Sequence, residues 1–200
     1  IRKRVKRYLK KDSQVLYPPV YTKRYCYKKH KGFWLSVNRL VNHKRIELQL
    51  KAFHKLPDEK LVIVGGFESA KGSLGYKEKI LRLAPKNVSF IHKASEAEMV
   101  ELYATCKGFL TTSREEDFGM NVIEAMASGK PVIAPAEGGY KETVIDGITG
   151  TLIKDIDADK IIDAIHKIGK DPGKYRSACL QQAKRFDTSV CIRSLRKINK

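Results

Sequence analysis

Two basic residues follow the first apolar run of the sequence, at a spacing that suits phosphate binding. Arg39 and Lys44 come directly after the strand-like run 33–37. Cations at the carboxyl edge of a parallel strand can neutralise a diphosphate, because ligands of such sheets bind at that edge and charge-assisted hydrogen bonds to phosphate are strong. The alternative is a solvated basic loop, which the high content of Lys and Arg favours. Spacing alone leaves both interpretations open.

A second group of residues combines two carboxylates with a glycine. Glu116 lies in a predicted loop, Gly119 ends that loop, and Glu124 lies in the predicted helix that follows. Glycine lets a ligand approach the backbone closely, and the amides at a helix N-terminus attract anions. Carboxylates accept hydrogen bonds from sugar and ribose hydroxyls. The alternative for Glu124 is a narrow polar helix face that it shares with Asn121 and Ser128.

Other polar stretches have simpler explanations than ligand binding. The glycines at 138 and 139 follow a predicted strand, where a tight turn is commoner than a phosphate contact. The stretch 155–159 has the Asp-x-Asp spacing of some metal-dependent enzymes, but Asp is favourable at a helix cap and first turn, so we interpret it as a helix start. The histidines and cysteines show no metal-ligand spacing, and no metal site is predicted. His92 follows a predicted strand and is expected to line the ligand-binding edge.

The apolar periodicity of the sequence indicates the scaffold that must position these residues. Short strand-like runs are predicted at 33–37, 61–64, 88–91, 108–112, 131–134 and 149–153. Between them lie stretches with apolar residues at helical spacing, one of which begins with a capping box formed by Ser95 and Glu98. This alternation predicts an α/β fold with a Rossmann-like, doubly wound parallel sheet. Ligands of such a sheet bind at the carboxyl ends of the strands, near the switch in strand order.

The charge of the chain restricts its partners without choosing one. Forty Lys and Arg residues against 22 Asp and Glu residues give a formal net charge of +18 over 200 residues. Such a surface attracts nucleic acid, anionic lipid or phosphorylated small molecules. Residues 1–11 form a predicted basic amphipathic helix, which would suit peripheral contact with an anionic membrane. No apolar run approaches the ~20 residues of a membrane-spanning helix, and the scattered cysteines indicate free thiols in the cytoplasm.

A nucleic-acid-binding protein is the alternative from a different functional class. Its support is the net charge and the basic segment 1–11. The sequence contains no helix-turn-helix pattern, no aromatic RNA-binding strand and no zinc module. No nucleic-acid partner is therefore expected.

Two stretches resemble the C-terminal Rossmann domain of the large retaining glycosyltransferase family that includes mannosyltransferases, sucrose synthase and glycogen synthase. One is the run 36–44 with the helix and strand that follow it. The other is 116–134, which is similar to the family's Glu-x7-Glu signature and is followed by Gly138-Gly139, Glu142 and Asp146-Gly147. The resemblance covers about residues 33–170. It implies one half of the two-domain fold, called GT-B, that these enzymes share.

The resemblance assigns roles by position. It implies that Arg39 and Lys44 hold the donor diphosphate and stabilise the leaving group. Glu116 would contact hydroxyls of the transferred sugar, and Glu124 would bind the ribose. The backbone amides alongside the sugar would be those of Phe118, Gly119 and Met120.

The nucleotide end of the site departs from the family pattern. Gly66 and His92 would lie near the nucleotide. Phe67 stands where a more open glycine-rich turn is usual, and His92-Lys93 stands where glycine is common. These departures leave the contacts to the base undefined.

The implied activity is retaining transfer of a hexose, with mannose favoured, from a nucleotide diphosphate sugar such as GDP-mannose or a UDP-sugar. The acceptor would be a glycan or a lipid-linked molecule, and no metal or other cofactor is expected. A sugar-nucleotide epimerase of the same fold is the alternative enzyme. The Glu-x7-Glu run favours transfer.

The resemblance also predicts the domain organisation. Residues 1–31 would be the end of an N-terminal domain and the crossing between domains. Residues 32–173 would be the nucleotide-sugar-binding domain, and 174–200 a helical segment that packs back toward the N-terminal domain. We therefore expect this chain to bind the donor, to lie in the cytoplasm or on the cytoplasmic face of a membrane, and to transfer no sugar by itself.

Overall fold

A six-stranded parallel sheet forms the centre of the molecule, in a computed structural model that describes residues 2–67 and 74–198. The strands are β1 (Phe33–Val37), β2 (Lys60–Val64), β3 (Val88–Ile91), β4 (Phe109–Leu110), β5 (Val132–Pro135) and β6 (Gly150–Ile153). Their order, β3-β2-β1-β4-β5-β6, confirms the predicted Rossmann-like, doubly wound sheet. From β1 the following strands are added toward one edge of the sheet, and from β4 they are added toward the other edge. The loops after β1 and β4 therefore diverge and leave a crevice.

Helices follow the strands in the predicted alternation. They are α1 (Arg2–Arg4), α2 (Ile46–His54), α3 (Leu74–Leu83), α4 (Glu96–Thr105), α5 (Met120–Ala127), α6 (Tyr140–Thr143), α7 (Ala158–Gly169), α8 (Arg176–Lys184) and α9 (Thr188–Ile198). The predicted capping box starts α4, where the Glu98 amide donates to Ser95 Oγ at 3.3 Å and the Ser95 amide donates to Glu98 Oε2 at 2.7 Å. Two orphan amides at this helix end are thereby satisfied.

The sheet is buried between helices, and Trp34 on β1 lies at its centre. The Trp34 side chain is fully buried. Its indole Nε1 donates to Glu59 Oε2 at 3.0 Å, and Lys107 pairs with the same carboxylate at 2.7 Å. A buried indole N–H needs such an acceptor, so this carboxylate allows Trp34 to fill the core.

Strand β4 is shorter than predicted. The prediction covered 108–112, whereas the strand covers Phe109–Leu110. The Thr111 amide still donates to the Ile133 carbonyl of β5 at 2.9 Å. The Thr111 hydroxyl lies 2.9 Å from the Tyr140 hydroxyl, and the Thr112 hydroxyl donates to the Lys44 carbonyl at 2.7 Å. The end of β4 thus anchors the loop that carries Lys44.

The basic N-terminal segment is helical, but less regular than predicted. A π-helical turn, Val5–Leu9, follows α1 and ends at Lys10, which has a left-handed φ of 56°. Tyr8 and Leu9 are 68% and 65% exposed. The predicted apolar face therefore stays largely in solvent.

The segment after Pro18-Pro19 runs along the connection between α8 and α9. The Val20 amide donates to the Phe186 carbonyl at 3.0 Å, and Thr22 Oγ1 donates to Asp187 Oδ2 at 2.6 Å. The hydrogen bond from Thr22 lowers the pKa of Asp187 to about 2. These bonds tie residues 20–22 to the C-terminal helices.

The two C-terminal helices differ in burial. Helix α8 packs against α5, and Gln182 on α8 donates to the Thr143 carbonyl at 2.9 Å. Helix α9 buries none of its residues, and Ile192 and Leu195 are exposed. The predicted boundaries after residues 31 and 173, and the packing of the last helix toward another domain, stay predictions. None of the helices in the described ranges has the length and apolar character needed to cross a membrane.

Candidate functional site

A pocket of about 400 Å³ lies in the crevice between the ends of β1 and β2 and the start of α5. This is the edge and the switch point at which a doubly wound sheet binds ligands. Most of the residues predicted to bind the donor line this pocket: Arg39, Lys44, Gly66, Glu116, Gly119, Met120 and Glu124. Residues far apart in the sequence thus meet at one site, which we call the crevice pocket.

The loops after β1 and β2 are joined along the wall of the crevice pocket. Gly65 has a φ of 145°, and a Cβ there would overlap the Asn38 carbonyl. The Leu40 amide donates to the Gly66 carbonyl at 2.9 Å. Glycine at 65 is therefore required by both conformation and space, and it holds the Arg39 loop against the end of β2.

Lys44 and Glu116 form an ion pair inside the crevice pocket. Lys44 Nζ lies 2.5 Å from Glu116 Oε2, and Ser113 Oγ donates to the same oxygen at 3.1 Å. The side chains of Lys44 and Glu116 are only 13% and 25% exposed, so solvent screens the pair weakly. The alternative of a solvated basic loop does not hold for Lys44. Arg39 is exposed and lines the same pocket.

The start of α5 forms the floor of the crevice pocket. Gly119 precedes the helix with a φ of 78°, and a Cβ there would lie 2.7 Å from Tyr140 Cε1. Gly119, Met120 and Asn121 all line the pocket. Because the first amides of a helix lack acceptors within the helix, this end presents donors and partial positive charge to a ligand.

Glu124 is held by a buried tyrosine. Tyr103 Oη donates to Glu124 Oε2 at 2.7 Å, and Tyr25 lies close enough for the charge of Glu124 to act on it. Burial and the charge of Glu124 raise the pKa of both tyrosines, so both stay protonated. Asn121 Nδ2 donates to the Val37 carbonyl at 2.8 Å, and Ser128 is buried. Ser128 Oγ and Asn121 Oδ1 are buried with no hydrogen-bond partner among the described residues. The predicted polar helix face is therefore only partly bonded within the protein, while Glu124 still lines the pocket.

Phe118 and His92 lie apart from the crevice pocket. The Phe118 side chain is buried between Tyr17 and Phe186, with ring centroids 5.6 Å and 5.4 Å away. Its amide, not its side chain, was predicted to meet the sugar. His92 is exposed, its ring lies 6.1 Å from Phe67, and it is not among the residues that line the pocket. The roles of both stay predictions.

Arg45 is a site-forming residue that the sequence reasoning missed. Its Nε donates to the Thr112 carbonyl at 2.6 Å, and its Nη2 donates to Glu137 Oε1 at 3.0 Å. It thereby ties the loops after β4 and β5 to the start of α2. The sequence did contain a signal for this role. A cation at a helix N-terminus is unfavourable next to the helix dipole, so Arg45 at the start of α2 indicates a partner elsewhere in the fold.

The glycines at 138 and 139 support the loop that carries Glu116. The Gly139 amide donates to the Glu116 carbonyl at 2.6 Å. A Cβ at 138 would overlap that carbonyl, and one at 139 would overlap the Asp117 carbonyl. Glycine at 138 and 139 is therefore needed for more than a tight turn. It also lets this loop lie in direct backbone contact with the loop that carries Glu116.

The Asp-x-Asp stretch forms the predicted helix start. Asp157 is the N-cap of α7, and its carboxylate accepts from the Lys160 amide at 2.8 Å. Across the ranges that the structure describes, no three His, Cys, Asp or Glu side chains are grouped in a way that could hold a metal ion.

Two comparisons of sequence identify relatives of the chain. The family model described as Glycosyl transferases group 1 matches residues 23–186. A D-inositol 3-phosphate glycosyltransferase of Mycolicibacterium smegmatis is 30% identical over 165 residues, which are 80% of this chain and 38% of that protein. Another from Mycobacterium bovis is 34% identical over 134 residues, which are 64% of this chain and 28% of that protein. The chain thus spans less than half the length of these curated relatives.

Solved structures share the fold at lower identity. Sucrose-phosphate synthase from Thermosynechococcus elongatus superposes with a TM-score of 0.85 at 22% identity, covering 98% of this chain and 55% of that one. Anabaena HepE, solved in complex with UDP-glucose, gives a TM-score of 0.81 at 22% identity, covering 92% of this chain and 56% of that one. The sheet is therefore that of one half of a GT-B fold. By sequence and by fold, the chain belongs to the glycosyl transferases of group 1.

Proposed function

We propose that this chain is the donor-binding half of a retaining glycosyltransferase that moves a hexose from a nucleotide diphosphate sugar to an acceptor hydroxyl. The observation that carries the proposal is the crevice pocket, where cations, a helix N-terminus and two fixed carboxylates converge. Cations and helix amides suit a diphosphate, whereas carboxylates suit hydroxyls. A nucleotide sugar carries both groups. An epimerase or a nucleic-acid-binding protein gains no support from the family.

The two carboxylates lie at opposite ends of the proposed ligand. Glu116 is next to Lys44, so it would meet the sugar beside the diphosphate. Glu124 lies on α5 and accepts a hydrogen bond from Tyr103, which orients it for the ribose. A carboxylate whose geometry is fixed in advance loses little entropy when it binds hydroxyls.

The reaction breaks the bond between the anomeric carbon and the β-phosphate oxygen. The electron pair stays on the nucleoside diphosphate, and the acceptor oxygen forms the new bond on the same face of the sugar and releases its proton. Arg39, Lys44 and the amides of the α5 end would stabilise the charge that develops on the leaving phosphate. Fixed cations of this kind supply what a divalent metal supplies in other enzymes.

The donor is proposed to be a UDP-sugar, with GDP-mannose as the alternative. Support for UDP comes from the neighbouring HepE structures, which contain UDP and UDP-glucose. The preference for mannose rested on the likeness to mannosyltransferases, and the curated relatives are inositol 3-phosphate glycosyltransferases. A thermal-shift panel of UDP-, GDP- and ADP-sugars decides between these donors.

The acceptor is proposed to be a glycan or a lipid-linked molecule, met at the cytoplasmic face of a membrane. Support comes from the basic N-terminal segment with exposed Tyr8 and Leu9, because apolar side chains among cations suit an anionic lipid surface. Sedimentation with vesicles of phosphatidylcholine and phosphatidylserine tests the contact. Loss of binding on removal of residues 1–11 is expected, and equal binding without them would contradict it.

The two carboxylates are expected to differ in what they recognise. Glu124→Ala should weaken UDP and UDP-glucose alike, by about 1.5–3 kcal/mol, because ribose is common to both. Glu116→Ala should weaken only UDP-glucose. Isothermal titration calorimetry measures both affinities, with Glu78→Ala, an exposed glutamate on α3, as the matched control. Equal losses for bare UDP in both variants would show that the division of roles is wrong.

Donor binding is expected to need no divalent metal. Arg39 and Lys44 already supply positive charge, and Asp157 is occupied as a helix cap. The affinity for UDP should therefore change less than about twofold when a chelator is added, since the charged hydrogen bonds remain. A strict requirement for magnesium or manganese would contradict this and return attention to Asp155 and Asp157.

A further inference from the structure

A second pocket, of about 660 Å³, lies beside the crevice pocket at the same edge of the sheet. Loops after β4, β5 and β6 line it together with the start of α2 and of α6. Its charged lining residues are Arg45, Arg114, Glu115, Glu137, Lys141 and Asp155. Its volume lies within the ~300–1,000 Å³ typical of small-molecule sites. We call it the loop pocket.

The base of the loop pocket is a fixed ion pair. Arg45 Nη2 lies 3.0 Å from Glu137 Oε1, and both side chains are largely shielded from solvent, with exposures of 15% and 29%. The Glu115 amide also points to Glu137, with a donor distance of 3.4 Å to Oε2. Arg45 and Glu137 are already paired with each other, so their role is to hold the wall of the pocket in place.

The rim of the loop pocket carries charges that do not pair. Arg114, Lys141, Glu115 and Asp155 are exposed, and in the described part of the chain none of these four side chains makes a hydrogen bond or an ion pair. Two cations and two carboxylates therefore share one concave space without neutralising one another. A ligand that accepts hydrogen bonds from the cations and donates hydrogen bonds to the carboxylates would pair with all four side chains.

The backbone around the loop pocket is strained. Arg45, Glu115 and Asp155 have φ values of 51°, 47° and 46°, and they are three of the four non-glycine residues with positive φ in the described ranges. A left-handed conformation is unfavourable for a residue with a side chain, because Cβ comes too close to the following carbonyl oxygen. Such strain collects at ligand sites, where the surroundings hold the backbone in place. Its concentration around one cavity sets the loop pocket apart from an ordinary surface depression.

We propose that the loop pocket binds a second small molecule, a hydroxyl-rich anion of the sugar-phosphate class. Arg114 and Lys141 would bind its phosphate, and Glu115 and Asp155 would accept hydrogen bonds from its hydroxyls. This ligand is distinct from the nucleotide, because the lining residues of the two pockets do not overlap. The sites adjoin through the chain at Lys44-Arg45 and at Glu115-Glu116.

Calorimetry on the 200-residue chain with glucose 6-phosphate, glucose and inorganic phosphate tests the proposal. Glucose 6-phosphate should bind at one site, and the other two compounds should each bind at least about tenfold more weakly, because each completes only half of the rim. The double variant Arg114→Ala/Lys141→Ala should lose at least about tenfold in affinity for glucose 6-phosphate. Both side chains are exposed, and an unchanged melting temperature checks the fold.

A matched control separates this site from net charge. Lys51→Ala/Arg82→Ala removes the same charge from exposed positions elsewhere. It should leave the affinity for glucose 6-phosphate within about twofold, since neither residue lines the loop pocket. An equal loss in this control, unchanged affinity in Arg114→Ala/Lys141→Ala, equal binding of inorganic phosphate, or no binding at all would overturn the proposal, whatever UDP does.

Discussion

Replacing Lys44 with alanine should weaken UDP binding by about 1.5–3 kcal/mol, roughly a 10- to 150-fold rise in Kd. The variant removes a cation from the proposed diphosphate position. It also leaves the Glu116 carboxylate without the partner that lies 2.5 Å away, and an uncompensated negative charge in a shielded pocket repels phosphate. Isothermal titration calorimetry with UDP measures the loss.

A double variant separates the repulsion by the unpaired Glu116 carboxylate from the loss of the Lys44 contact. Lys44→Ala/Glu116→Ala should recover part of the UDP affinity, because the repelling carboxylate is gone while the lost contact stays lost. Arg39→Ala should show a loss of similar size to Lys44→Ala, and Lys51→Ala on helix α2 should show none. Unchanged UDP affinity in both the Arg39 and the Lys44 variants would remove these residues from the diphosphate site.

The order of elements was predictable because it depends on local signals. The capping box at Ser95, the apolar runs and the alternation with helical spacing each act within a few residues. These signals also placed the predicted site residues at the carboxyl ends of strands. The predicted strand extended to Thr112, past the end of β4 at Leu110. The contacts that Thr111 and Thr112 make with Tyr140 and Lys44 were not predictable, because only the tertiary fold brings these residues near one another.

The contacts inside the crevice pocket were not predictable from spacing. Lys44 and Glu116 are 72 positions apart, and Tyr103 and Glu124 are 21 apart, so both pairs depend on how the strands are ordered. Local patterns contain no information on such pairing. The resemblance to a family predicted the residues of the site, whereas their hydrogen-bond partners are defined only by the three-dimensional structure.

The pairing also changes how the predicted roles are understood. Lys44 was predicted to meet the diphosphate and Glu116 the sugar, and the two side chains also form an ion pair with each other. A nucleotide sugar would enter with its phosphates at Lys44 and its hydroxyls at Glu116, and it would replace that contact with one on each side. Part of the binding energy would then offset the broken ion pair, which makes the Lys44 and Glu116 variants energetically coupled.

The largest effect is expected in catalysis, where this chain alone should bind UDP-glucose and transfer almost none of it. The solved relatives contain nearly as much chain again, since this one covers 55% of sucrose-phosphate synthase. Alignment of an acceptor hydroxyl against the anomeric carbon can contribute ~7–11 kcal/mol to lowering a barrier. The crevice pocket lies at the sheet edge, so we expect it to hold the donor on one side and the alignment of an acceptor to need the rest of the two-domain fold. We therefore expect slow hydrolysis at most.

Chromatographic assay of UDP-glucose turnover with a polyol phosphate and with a lipid-linked acceptor measures this expectation. A longer chain that spans the whole two-domain fold is the comparison, and its rate should exceed that of the 200-residue chain by at least about 10⁵-fold if the alignment term is lost here. UDP affinity should be similar in both chains, because the residues proposed to bind the diphosphate and the ribose, Arg39, Lys44 and Glu124, all line the crevice pocket. Rapid transfer by the 200-residue chain would mean that the acceptor binds among the described residues, and the loop pocket beside Glu116 would then be the first place to seek it.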